Sequence, residues 1–153
     1  MKKIALVGLA LTLGAGGALN AYAQTKPETL VDLRQAAMKL QGKYLYSLLP
    51  MAQGKIPYDA KVVARNIGYL DALTQMPWDG FTPETANVTV KTRALPEIYK
   101  DLPGFRSKAE AMRTQFAKLE GTVKTGNETA IKDGLVELNK SCNACHDQFR
   151  SKQ

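Results

Sequence analysis

The sequence predicts an all-α protein, an up-down-up-down antiparallel four-helix bundle, on three observations. Four stretches set apolar residues three and four positions apart, the spacing of one helix face. Proline, glycine and asparagine separate those stretches. Aromatic residues make up only 7% of the chain and β-branched runs are few, which favours helix over sheet. With 153 residues the chain holds one domain, large enough to bury a core without staples.

The first helix is expected from Pro27 to about Ala52. Proline suits a helix start, where its missing N–H would be unpaired anyway. Leu30, Val31, Leu33, Ala37, Met38, Leu40, Leu45, Leu48 and Leu49 give the apolar spacing, and Pro50 should kink or end the helix. Asp59 is placed to cap a second helix, with Val63, Ile67, Leu70 and Thr74 on one face, Val62, Tyr69 and Leu73 beside it, and Pro77 as its stop. Residues 75 to about 101 read as a long loop rich in breakers, with Trp78 and Phe81 available to pack it down and a helical turn near Pro96–Tyr99. A third helix runs from about Pro103 to Lys124 on the seam Phe105, Ala109, Met112, Phe116, Leu119 and Val123. Gly126 and Asn127 make a turn, and Asn127 caps a fourth helix from Glu128 to about Arg150. Its seam is Ile131, Leu135, Leu138, Cys142, Cys145 and Phe149, so both cysteines fall on the core-facing stripe. Matched seams joined by a short turn make antiparallel bundle neighbours.

Residues 1–23 read as a cleaved signal peptide, leaving residues 24–153 as the mature domain. Lys2 and Lys3 supply the positive start, Ile4–Leu13 the apolar stretch and Ala21-Tyr22-Ala23 the cleavage pattern. A membrane anchor is disfavoured, because the apolar run is short and Gly14, Gly16 and Gly17 follow it. The expected location is the periplasm, with no membrane span after cleavage. Loss of the two lysines lowers the formal net charge from +7 to about +5. That balance is compatible with acidic protein partners. It does not argue for nucleic acid, since no basic run is interleaved with aromatics.

The chemistry lies in Cys142-Asn143-Ala144-Cys145-His146, a C-x-x-C-H sequence of the kind that attaches c-type haem. On a helix these three residues and Phe149 fall within an arc of roughly 100°. Two thiols three positions apart can reach the two vinyl groups of one porphyrin, and the next residue can turn its imidazole onto the iron. A thioredoxin-type pair expects a βαβ context that is missing here. A zinc site needs about four ligands, and His146 is the sole histidine. A disulfide between helical positions three apart would be strained and leaves the histidine without a role. One covalent haem c, with Cys142 and Cys145 as anchors and His146 as iron ligand, is therefore expected. A second histidine ligand is excluded, so the sixth position holds a methionine, another weak ligand, or nothing.

With this motif near the C-terminus of an exported four-helix chain, the sequence resembles the cytochrome c′ family, which includes cytochrome c-556. The resemblance spans the mature chain. It includes Leu33-Arg34-Gln35-Ala36-Ala37-Met38, Pro57-Tyr58-Asp59-Ala60, Met76-Pro77-Trp78 and Lys140 to Arg150 around the motif. The family implies a homodimer through the first two helices. It also implies a first-helix residue over the distal haem face, Met38 by position. Arg34 matches an arginine near the haem edge and its propionates, and Arg150 a basic residue beside the proximal face. Each has a plainer reading: Met38 as core packing, Arg34 as a surface arginine lying along the bundle, Arg150 as a solvated terminal charge.

Members with a five-coordinate iron bind NO and CO, whereas c-556 members carry a methionine ligand and transfer electrons. Arg34-x-x-x-Met38 looks more like members with an open sixth site, and that reading is favoured. The alternative is a low-spin carrier with Met38 as the axial ligand. Met51, Met76 and Met112 are set aside as ligands, since nothing in the sequence aligns them with the haem. With the sole histidine on iron and no nucleophile–base pair, the chain is expected not to be an enzyme. Redox partners are not readable from the sequence.

Overall fold

A computed structural model describes residues 25–152. The expected signal peptide, residues 1–23, lies outside them. The described chain is helical: α1 (Pro27–Tyr46), α2 (Leu49–Ala52), α3 (Ala60–Gln75), α4 (Glu97–Lys100), α5 (Leu102–Thr125) and α6 (Glu128–Phe149). The four long helices form the antiparallel bundle, with α1 against α3, α3 against α5 and α5 against α6.

The helix ends follow from local chemistry. Asp59 accepts from the N–H groups of Lys61 and Val62 at 2.9 and 3.1 Å and starts α3. Asp101 accepts from Gly104 at 2.9 Å and starts α5 one residue ahead of Pro103. Gly126, at φ +72°, closes α5 in the left-handed conformation that glycine adopts without penalty. Asn127 then accepts from Ala130 at 3.1 Å and opens α6. The chain reverses over these two residues, which is why α5 and α6 pack side by side.

The expected continuous helix to Ala52 is corrected. Helix α1 stops at Tyr46, and Pro50 lies in the first turn of the separate α2. A proline removes the hydrogen bond to the carbonyl four residues earlier and clashes with it. For Pro50 that carbonyl belongs to Tyr46, so the break falls there and not at the proline. Leu48 closes the turn by donating to Leu45 at 2.9 Å.

The interior is built as two clusters. The larger joins Leu45, Leu48, Met51, Val63, Ile67, Leu70, Met112, Phe116, Leu119, Ile131, Leu135 and Leu138. The smaller holds Ile98, Phe105 and Phe149, with Phe81, Cys145 and the half-buried Trp78 packed on it. Trp78 also packs against the larger cluster. Leu33 and Leu40, counted in the apolar spacing of the first helix, are 59% and 42% exposed, so the buried stripe of α1 is narrower than expected.

The segment between α3 and α4 is not extended loop. It makes 3₁₀ turns at Trp78–Gly80 and Pro83–Thr85 and lies against α1. Gly80 permits that approach: a Cβ there would sit 2.8 Å from the carbonyl oxygen of Leu30 and 3.0 Å from the Cβ of Arg34. Gly80→Ala is expected to destabilise the fold by about 1–3 kcal/mol, the usual cost of an overpacked backbone contact. Chemical denaturation of the variant checks this, and unchanged stability would show that the segment is free to move away from α1.

Candidate functional site

One cavity of about 590 Å³ is lined by Arg34 and Met38 of α1 and by Cys142, Cys145 and His146 of α6, with Arg150 at its end. All six residues singled out in the sequence thus share one wall system. Its volume lies in the range of roughly 300–1,000 Å³ typical of cofactor pockets and far above ordinary packing gaps. The lining is mainly apolar, drawn from both core clusters: Leu45, Leu70 and Leu138 from one, Ile98, Phe105 and Phe149 from the other.

Helix α6 sets the geometry of the motif. Its seam is buried as far as Leu138 and then opens onto the cavity, so Cys142 and Cys145 are half-buried and unpaired. Burial and the neighbouring Cys145 push the Cys142 thiol up to about 11. Burial also raises Cys145, while Lys108 opposes the shift. Both are protonated thiols at neutral pH. Burial lowers His146 to about 4, assisted by the charges of Arg150 and Arg93 and opposed by Asp147. The imidazole therefore stays neutral, the form that offers a lone pair to a metal. Its Nδ1 is buried without a hydrogen-bond partner.

The last turn of α6 is clasped from outside. Leu95 donates to Phe149 at 3.0 Å and Ser151 to Arg93 at 2.9 Å, around an antiparallel bridge between Ala94 and Arg150. Arg93 adds Nε and Nη2 bonds to the Ser151 carbonyl at 3.1 and 2.6 Å. The Arg150 side chain is exposed, as a terminal charge would be, and also borders the cavity.

Arg34 is not a surface arginine. It is 3% exposed, and its Nη1 donates to the carbonyl of Gly80 and, at 3.1 Å each, to Thr85 Oγ1 and Tyr99 Oη. Its guanidinium also lies 4.2 Å from the Phe81 ring centroid. Nothing in the sequence marks Thr85 or Tyr99 as partners of Arg34. A signal was available only in the breaker-rich stretch around Gly80, which had to be packed against something. Met38 is half-buried on the α1 wall. Met112, set aside above, also lines the cavity, from α5, whereas Met51 belongs to the larger cluster and Met76 is 57% exposed.

Two thiols three positions apart, a neutral imidazole with an orphaned nitrogen and an apolar cavity are a donor set that fits a covalently held porphyrin. Comparison with known proteins bears on this directly. A family model described as Cytochrome C′ matches residues 29–150. The chain belongs to the cytochrome c′ family. It is 35% identical to cytochrome c′ of Rubrivivax gelatinosus over 83% of this chain and 98% of that protein. The crystal structure of that cytochrome c′ superposes with a TM-score of 0.79. A nitric oxide complex of a cytochrome c′ variant from Alcaligenes xylosoxidans, 32% identical over 84% of this chain and 98% of that one, superposes at 0.76. Cytochrome c-554 of Cereibacter sphaeroides is 27% identical over 99% of both chains. Family members are haem proteins that carry electrons or bind gases, and their cofactor is a c-type haem with iron.

Arg34→Leu is expected to cost roughly 1–3 kcal/mol, because it removes the charged donor shared by Gly80, Thr85 and Tyr99 and leaves them only the bonds they make among themselves. Denaturation of the haem-loaded variant measures it, and a stability equal to that of the parent would show that the guanidinium does not brace the segment.

Proposed function

We propose that the chain is an exported monohaem cytochrome in which Cys142 and Cys145 form the thioether anchors and His146 ligates the iron. The observation that carries this reading is the convergence of both thiols, the imidazole and Met38 on one cavity. When bound, haem supplies an iron that changes oxidation state and can take a small diatomic ligand at a free axial position. The chain's own residues do the rest. Two covalent anchors hold the group even where the single protein ligand is weak. Burial keeps His146 neutral, and the clasp of residues 93–95 on Phe149–Ser151 fixes the turn that carries it.

In this reading Met38 covers the distal side as an apolar side chain and leaves an open sixth site for NO or CO. The nitric oxide complex of the Alcaligenes relative supports it. A second reading keeps its place because Met38 presents a thioether to the same cavity: ligation by Met38 would make a low-spin, c-556-like electron carrier. Arg34 lies at the haem edge and Arg150 beside the proximal face. With the sole histidine on iron no general base remains, so we read the chain as a non-enzyme. Export of residues 24–153 to the periplasm follows from the signal-like residues 1–23. No described helix is long and apolar enough to cross a membrane. The homodimer would form through α1 and α3, which leave Leu33, Leu40, Tyr69 and Met76 exposed.

Joint replacement Cys142→Ala and Cys145→Ala is expected to turn the haem into a group extractable by acidified acetone; haem that stays with the polypeptide would contradict thioether attachment. Optical spectra of Met38→Ala separate the two distal readings. With an open site the spectrum remains high-spin and CO binds faster, whereas a change from low to high spin identifies Met38 as the sixth ligand.

A further inference from the structure

The cavity lining contains six lysines and arginines and not one aspartate or glutamate. Arg34 is buried, which leaves Lys39, Lys43, Arg93, Lys108 and Arg150 as a cationic rim. None of the five is paired with a carboxylate among the described residues. The contrast with other bases is informative. Lys100, Arg113, Lys124, Lys132 and Lys140 each sit beside a glutamate three or four residues away on their own helix. Arg93 instead bonds a backbone carbonyl, which leaves its charge uncancelled. Asp71, Glu97, Glu110 and Asp147 each adjoin a lining residue in sequence, but all four are exposed and outside the lining. The two carboxylates of a porphyrin offset two of the six charges, so the mouth of the loaded site remains positive.

We propose that this rim is the docking surface for an acidic redox protein, which exchanges electrons through the mouth of the cavity. The proposal rests on the reading of the site as holding a redox-active haem, common to both distal arrangements, and adds the partner to it. Charge placed around the cavity that would hold the cofactor steers an oppositely charged surface to the position where electron transfer is shortest. Because Lys39 and Lys43 are exposed, their attraction acts through solvent and weakens over a Debye length, about 8 Å at physiological salt. A protein partner is favoured over a lipid surface, because the cations line a concave site and come from α1, α5, the end of α6 and the segment before α4, rather than from one face of an amphipathic helix.

The test uses the haem-loaded chain and, as probe, a flavodoxin of net negative charge in its reduced state, with reduction of the haem followed by stopped flow. The second-order rate is expected to fall about tenfold as ionic strength rises from roughly 10 to 300 mM. Lys39→Glu with Lys43→Glu should remove most of the low-salt rate and flatten the salt dependence. Lys55→Glu with Lys61→Glu, the same charge change at exposed positions away from the cavity, should preserve both. An unchanged Soret band verifies that each variant retains its site. Equal losses in the two double variants, or a rate indifferent to salt, would overturn the proposal. So would retention on phosphatidylglycerol vesicles that the rim variant alone loses, combined with a flavodoxin rate that variant leaves unaltered. A haem that dithionite cannot reduce reversibly would instead defeat the redox-active reading on which the proposal stands.

Discussion

A guanidinium held out of water without a carboxylate is an expensive feature, since the effective penalty for burying an ion is several kcal/mol. Arg34 meets that cost with three neutral acceptors and the face of Phe81. In return, a residue in the first third of the chain grips three points between residues 80 and 99. That grip joins the other ties of the segment between α3 and α4: Gly80's close fit, the Trp78 bond to Thr74 at 2.7 Å, the Gln35 bond to the Lys91 carbonyl at 3.1 Å and the clasp on α6. Together they make the segment a wall, and the wall is what converts a bundle of four helices into a container. The charge also sets the sign of the interior: a cavity with a buried cation and no acid in its lining favours groups that bring negative charge.

The other side of the container is governed by the end of α6. A helix terminus normally frays, because its last carbonyls lack partners. Here the residues after Phe149 are paired with residues 93–95, so the terminal turn is held in place. The same segment is therefore fastened at both ends, to α1 through Thr85 and Tyr99 and to α6 through Ala94. It transmits the position of one wall to the other, which is a mechanical reason for a long connection at this point in an otherwise short-looped bundle.

Much of this was legible in the residue order. Capping side chains act locally, so Asp59 and Asn127 marked their helices correctly. The C-x-x-C-H spacing fixes which side chains share a face of one helix, and the motif needed no tertiary information. What was not legible depended on convergence between helices. Leu33 and Leu40 have the right period but lie outside the contact stripe, because period does not say how wide the stripe is. Met112 is core by its spacing and cavity by its neighbours. Arg34 was placed near the cofactor, yet its burial depends on Thr85 and Tyr99, more than fifty positions away. Lys39, Lys43 and Lys108 look like ordinary helix charges until two helices bring them to one opening.

Trp78 is the one residue, among those described, that packs against both parts of the divided interior. Residues of both parts also line the cavity. A porphyrin tethered there would complete the hydrophobic interior as well as supply the reactive metal. Biosynthesis and quality control are thereby linked: a polypeptide that misses its cofactor keeps two half-cores joined at a single indole. Its apolar walls are open to proteases and chaperones, which discriminate against such incompletely closed forms.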